Sequence, residues 1–131
     1  MKYFSFREMV ATSTGLPNIP SWQQIECMQQ LIVNILDPLR ELYGKPIKVT
    51  SGFRSHGVNA RVKGAKNSDH LYGCAVDLDA GSKIENEKIF NLIKGNFQFK
   101  QLINEHGFQW VHVSYMQGRN NLEILKIGGD K

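Results

Sequence analysis

Hydrophobic residues recur every three or four positions at Ile25, Met28, Leu31, Ile32, Ile35, Leu36, Leu39 and Leu42. That spacing lays them along one face of a helix that opens at Ser21 and closes at Gly44, with Pro46 just beyond. Pro38 falls inside the pattern, and a ring without an N–H must kink the helix or divide it. Upstream, Ser5 and Glu8 have the spacing of a capping box for a short helix over residues 6–11. The stretch 12–20, punctuated by Gly15, Pro17 and Pro20, is a loop. A second helical stripe of Ile84, Ile89, Phe90, Leu92 and Ile93 covers residues 82–96. Elsewhere the period is two. Residues 45–53 carry Ile47, Val49 and Phe53, and residues 74–79 set Cys74, Val76 and Leu78 opposite Ala75, Asp77 and Asp79. Further strands fall near 99–105, 110–116 and 122–127, a short helix with loops fills 54–67, and 128–131 is a frayed tail. Helices grouped early and strands late predict an α+β domain with helices packed on a mostly antiparallel sheet.

Composition narrows the function. The 131 residues make one domain, 1–131, and seven Phe, four Tyr and two Trp furnish a core that excludes global disorder. The longest purely apolar stretch in the first half is Leu31-Ile32-Val33, far short of the roughly 18 residues a membrane span needs. Sixteen Lys and Arg against twelve Asp and Glu leave +4, which suits an anionic partner. The basic residues are scattered, without an aromatic-basic strand or recognition helix, so no nucleic acid is expected. Cys27 and Cys74 show no CxxC spacing and read as small buried side chains, not as a disulfide or a metal clip. The opening MKYFSFREMV lacks the layout of a signal peptide, so as written the protein is expected in the cytoplasm.

Two strands depart from the hydrophobic rule on one face only. In the strand beginning at Trp110, Val111 and Val113 point one way while Trp110, His112 and Ser114 point the other. Asp77 takes the same kind of position in its own strand. His70 stands seven residues before Asp77, and Gly73 between them permits a turn that aims the imidazole back toward the carboxylate. Two imidazoles and one carboxylate suit zinc, and three protein ligands leave the fourth tetrahedral position for water or substrate. Asp69 and Asp79 compete with Asp77 for the carboxylate's place.

Ser68, His70, Gly73, Ala75 and Asp77 reproduce an S-x-H-x-x-G-x-A-x-D pattern, Trp110-Val111-His112 a W-x-H pattern, and residues 51–55 an S-G-[FY]-R-S segment. In that order they resemble the zinc D-Ala-D-Ala carboxypeptidase family, the M15-type murein peptidases. Asn59 and the run 64–68 fit its phage-type and bacteroidete-type branch. The resemblance implies a DD-peptidase/hedgehog-like fold and Zn2+ held by His70, Asp77 and His112. It also implies that Arg54 faces substrate, where a guanidinium can grip a peptide carboxylate or polarised carbonyl. Ser68 would lie beside the metal loop, shaping it or touching substrate. The activity implied is hydrolysis of peptidoglycan stem peptides, as a D-Ala-D-Ala carboxypeptidase or an L-Ala-D-Glu type endopeptidase. The protein would work as a monomer, on the cell wall after release.

Such hydrolysis needs a general base. Many relatives carry an acid three positions before the second ligand histidine, and here that position is Gln109, which cannot shuttle a proton. Glu105 is the nearest acid. A hairpin loop of even length places it on the His112 face, and an odd one turns it away. His106 is a second possible proton carrier. Gln109 also motivates an alternative, a catalytically impaired zinc-bearing module that binds peptidoglycan without turnover.

Overall fold

Paired serine caps open the first two helices. The computed structural model describes residues 1–128, so 129–131 of the expected tail lie outside the described residues. Ser5 accepts the Glu8 N–H while Glu8 accepts the Ser5 N–H, starting α1 (Phe6–Val10). Ser21 and Gln24 make the same reciprocal pair ahead of α2 (Trp22–Leu31). α2 passes through a π-helical turn, Ile32–Leu36, into α3 (Asp37–Tyr43). The Asp37 N–H reaches back five residues to the Ile32 carbonyl, and this wider winding precedes Pro38 in the first turn of α3. Pro38 therefore divides the helix without breaking it, because the loosened turn takes up the missing N–H and the bulk of the ring. Gly44, at φ 79°, closes the helix in the left-handed conformation.

The five strands are β1 (Lys48–Ser51), β2 (Ala75–Asp79), β3 (Gln101–Glu105), β4 (Trp110–Ser114) and β5 (Glu123–Ile127). They lie side by side in the order β1-β2-β4-β3-β5. All neighbours run antiparallel except β5, which lies parallel to β3 on the outer edge. The α+β architecture with a mostly antiparallel sheet is therefore present. β1 is shorter than the predicted 45–53. Its pairing slips between Val49 and Ser51, and the Phe53 N–H leaves the sheet for the Met9 carbonyl at 2.7 Å.

One face of the sheet is dry. Val76, Leu78, Leu102, Val111 and Val113 join Met28, Leu31, Ile32, Ile35, Leu36 and Leu39 in a single core. α5 (Lys83–Asn96) adds Ile89, Phe90 and Ile93 to it. Ile84, placed on that stripe from the sequence, is 70% exposed. At about 100° per residue it points opposite Ile93, so the helix cannot bury both. Asn86 occupies the buried face instead, 1% exposed. Its amide nitrogen donates to Asp79 Oδ1 and to the Phe108 and Gln109 carbonyls at 3.1, 2.9 and 3.1 Å, while its oxygen accepts the Ala80 N–H at 2.6 Å. One side chain thus ties the end of β2 and α5 to the turn between β3 and β4.

Gly52 shows how closely α1 approaches the sheet. A Cβ there would stand 2.3 Å from the Met9 carbonyl oxygen, a backbone atom that cannot swing aside. Gly52→Ala is expected to cost about 1–3 kcal/mol of stability, read as a lower urea midpoint at unchanged slope; an unmoved midpoint would show that α1 yields freely.

Candidate metal centre

The wet face of the sheet gathers the chemistry. β2 and β4 pair in a register that sets Asp77 directly opposite His112. Directly opposed residues share a face, so both side chains leave the sheet on the side away from the core. His70 arrives from a 3₁₀ turn, Asp69–Tyr72, that Gly73 ends at φ 76°. Ser68 caps this turn, its hydroxyl accepting the His70 N–H at 3.1 Å. Of the two roles open to Ser68, the shaping of the loop is therefore visible in its bonding.

His70, Asp77 and His112 are 2%, 6% and 7% exposed, and each offers a ligand atom within 4.8 Å of the others. Asp77 Oδ1 lies 3.1 Å from His112 Nδ1 and 3.3 Å from His70 Nε2. Tetrahedral ligands about 2.0–2.1 Å from an ion stand about 3.3 Å apart, so the donors have the right types and nearly the right spacing. The tautomer of His70 is set from outside. Its Nδ1 lies 2.6 Å from the Gly52 carbonyl, which can only accept, so Nδ1 carries a proton and Nε2 is the nitrogen directed at Asp77. Burial works to raise the Asp77 pKa, but hydrogen bonds and charge from His112 and His70 hold it well below the usual carboxylate range. A buried anion flanked by two imidazoles favours positive charge between them, a proton or a metal ion.

The rival carboxylates are engaged elsewhere. Asp69 is paired with Lys100 at 2.7 Å, and Asp79 accepts from the Gly81 N–H and from Asn86 at 2.9 and 3.1 Å. Arg54 takes up the second oxygen of Asp77, Nη2 to Oδ2 at 3.2 Å. Its Nε and Nη1 donate to Ser51 and Asn59 at 3.0 and 3.2 Å. The guanidinium expected to grip substrate is thus also the clamp that leaves Asp77 Oδ1 for the two histidines. A Cβ on Gly64 would fall 2.0 Å from Asn59 Oδ1 and 2.7 Å from Arg54 Nη1, so that glycine keeps the clamp's space open.

His70, Asp77 and His112 line a cavity of about 720 Å³ that also holds Arg54, Ser68, Glu105 and Trp110 in its wall. Glu105 pairs with Trp110 and Ile103 with His112, so the four-residue loop 106–109 gives the even register that turns Glu105 toward the metal ligands. Burial, then the charge of Asp77, raises the Glu105 pKa above its ordinary value. Gln109 is exposed and lines a different cavity, so its amide does not occupy the acid's place beside the ligands. His106 reaches the cavity with its ring against Trp110, centroids 5.0 Å apart. His56 begins α4 (His56–Arg61) as an exposed surface residue. The sequence did not disclose the work of Gly52, Ser51 and Gly64, although all three stand in or beside the motifs that carry the ligands.

Two imidazoles and a carboxylate grouped at a cavity wall, with a half-buried acid in the same wall, form a site of the metallohydrolase type. The chain belongs to the peptidase M15 family, whose profile matches residues 2–114. A similar protein is the zinc D-Ala-D-Ala carboxypeptidase of Streptomyces albus G, 53% identical over 96 residues, covering 72% of this chain and 33% of that protein. The chain thus spans about a third of the length of that relative. Among the described residues, no helix is long and apolar enough to cross a membrane.

Removing the clamp should loosen the site. Arg54→Gln is expected to weaken zinc binding by about 10–100-fold without changing the helical circular dichroism. Competition with a chromophoric chelator measures this; unaltered affinity would show that Arg54 does not hold Asp77 in place.

Proposed function

We propose that this chain is a zinc-dependent murein peptidase that hydrolyses peptide bonds in peptidoglycan stem peptides, as a D-Ala-D-Ala carboxypeptidase or an L-Ala-D-Glu type endopeptidase. The observation that carries the proposal is the meeting of His70, Asp77 and His112 in a cavity that also contains Glu105. His70 Nε2, Asp77 Oδ1 and His112 Nδ1 would hold the ion. Bound zinc supplies Lewis acidity, polarising a carbonyl and allowing water to ionise near neutral pH. Glu105 accepts the proton of the attacking water and returns it to the leaving amine. Arg54 keeps the Asp77 carboxylate oriented and contributes positive charge to the wall where negative charge develops on the scissile carbonyl. The similarity to a D-Ala-D-Ala carboxypeptidase supports the choice of substrate class, and the +4 charge is compatible with an anionic wall. The protein acts as a monomer on the wall after release.

Incubation with purified muropeptides, followed by mass spectrometry, should reveal cleavage that a chelator abolishes and zinc restores. Released D-alanine identifies the carboxypeptidase; cleavage inside the stem identifies the endopeptidase. Stoichiometric zinc without products would leave only a binding module. His70→Ala and His112→Ala should each lose both zinc and activity while remaining folded.

Glu105→Gln should retain zinc and lose about 10²–10⁴-fold in turnover. Glu105 works only when ionised, so activity falls as pH drops through its pKa. Because that pKa is raised, the acid limb should lie above the ordinary glutamate value of about 4.3 and vanish in the glutamine variant. Near-normal turnover in Glu105→Gln would return the base role to His106 or to water.

A further inference from the structure

Cys27 and Cys74 have no part in the metal centre, yet several contacts bring the segments that carry them together. Gln24, three residues before Cys27 on α2, donates from its side-chain amide to the Leu71 carbonyl at 2.9 Å. The Gln24 carbonyl oxygen lies 2.5 Å from where a Cβ on Gly73 would stand, so α2 rides directly on the backbone leading into Cys74. From the other side, the Cys74 carbonyl accepts the Tyr115 N–H at 2.9 Å. Tyr115 shares with Cys27 the wall of a cavity of about 280 Å³. The Cys74 thiol donates to the Tyr72 carbonyl at 3.7 Å, and burial, then the neighbouring Cys27 thiol, raises its pKa. Both residues are free thiols, Cys74 buried and Cys27 partly exposed. The two free thiols agree with the reading of no disulfide, and the sequence carries no local spacing that would reveal a pair brought close only by the fold.

We infer that Cys27 and Cys74 are a built-in cross-linking site, which a small disulfide donor such as oxidised glutathione converts to an intramolecular disulfide. Cys27, facing its cavity, attacks one donor sulfur as the thiolate and releases one glutathione thiolate. Cys74, kept protonated by its burial, must lose its proton before it attacks the Cys27 sulfur and releases the second, so this is the slow step. Two protein thiols are oxidised, one donor disulfide is reduced to two thiols, and the two protein protons pass to the released thiolates. The bond would fasten α2 to the segment entering β2, between His70 and Asp77. It would close a loop containing β1, α4 and the Asp69–Tyr72 turn. Closing so long a loop restricts the unfolded chain, so the oxidised form should melt higher.

The test uses the intact chain and does not depend on peptidase activity. The protein is incubated with oxidised glutathione or with dithiothreitol, its free thiols are counted by alkylation, and unreduced peptides are analysed by mass spectrometry. The expected result is loss of both free thiols, a peptide pair joined through Cys27 and Cys74, and a rise in Tm of about 5 °C or more. Dithiothreitol should reverse the rise, and Cys27→Ala, which spares the buried partner, should not show it. Two alkylatable thiols after oxidation, or a glutathione adduct persisting on Cys27 without a cross-link, would overturn the inference. A cross-link that leaves Tm unmoved would overturn it as well, since the two segments would then not be clamped.

Discussion

A buried carboxylate governs the wet side of this molecule. Asp77 is 6% exposed, and an anion taken out of water must find its compensation within reach. One oxygen is met by Arg54 and the other by two imidazoles, so every element supplying a partner is constrained in position. β4 must pair with β2 in the register that puts His112 opposite Asp77. The 3₁₀ turn must close in order to aim His70, and β1 must end where the Gly52 carbonyl can orient that ring. The sheet's dry face packs with the helices into the apolar core that holds these elements together, while its wet face fixes their relative placement.

Much of the precision comes from short polar residues that bridge segments through backbone atoms. Asn86 gathers β2, α5 and the β3–β4 turn, and through that turn it supports the register on which the orientation of Glu105 depends. Asn18 does comparable work on the other side, donating to the Val10 and Phe53 carbonyls and accepting the Ser55 N–H. Such bridges bond main chain on several elements at once, so a substitution there releases more than one contact.

The parts of the fold readable in the sequence were those governed by local periodicity. The helical face from Met28 to Leu39, the alternation around Asp77 and the capping box at Ser5 each depend on residues a few positions apart. Ile84 misled because it is apolar and near its helix's stripe, and only the angle to Ile93 places it in solvent. Among the site residues, the donors His70, Asp77 and His112 could be named because their motifs are compact. The clamp of Arg54 on Asp77 could not, since it joins positions 23 apart across a strand pair. The side taken by Glu105 hung on whether a hairpin loop was odd or even, a tertiary fact that composition does not encode.

β5 gives the cavity a wall with its own history along the chain. The ligands are complete by His112 and the family profile ends at residue 114, whereas Leu125 and Ile127 line the cavity from a strand that begins at Glu123. Catalytic apparatus and outer fence are therefore separate stretches of polypeptide, joined by the parallel pairing of β5 with β3. Side chains along that fence can be enlarged or trimmed without displacing a single donor, which leaves selectivity free to drift while the chemistry stays put.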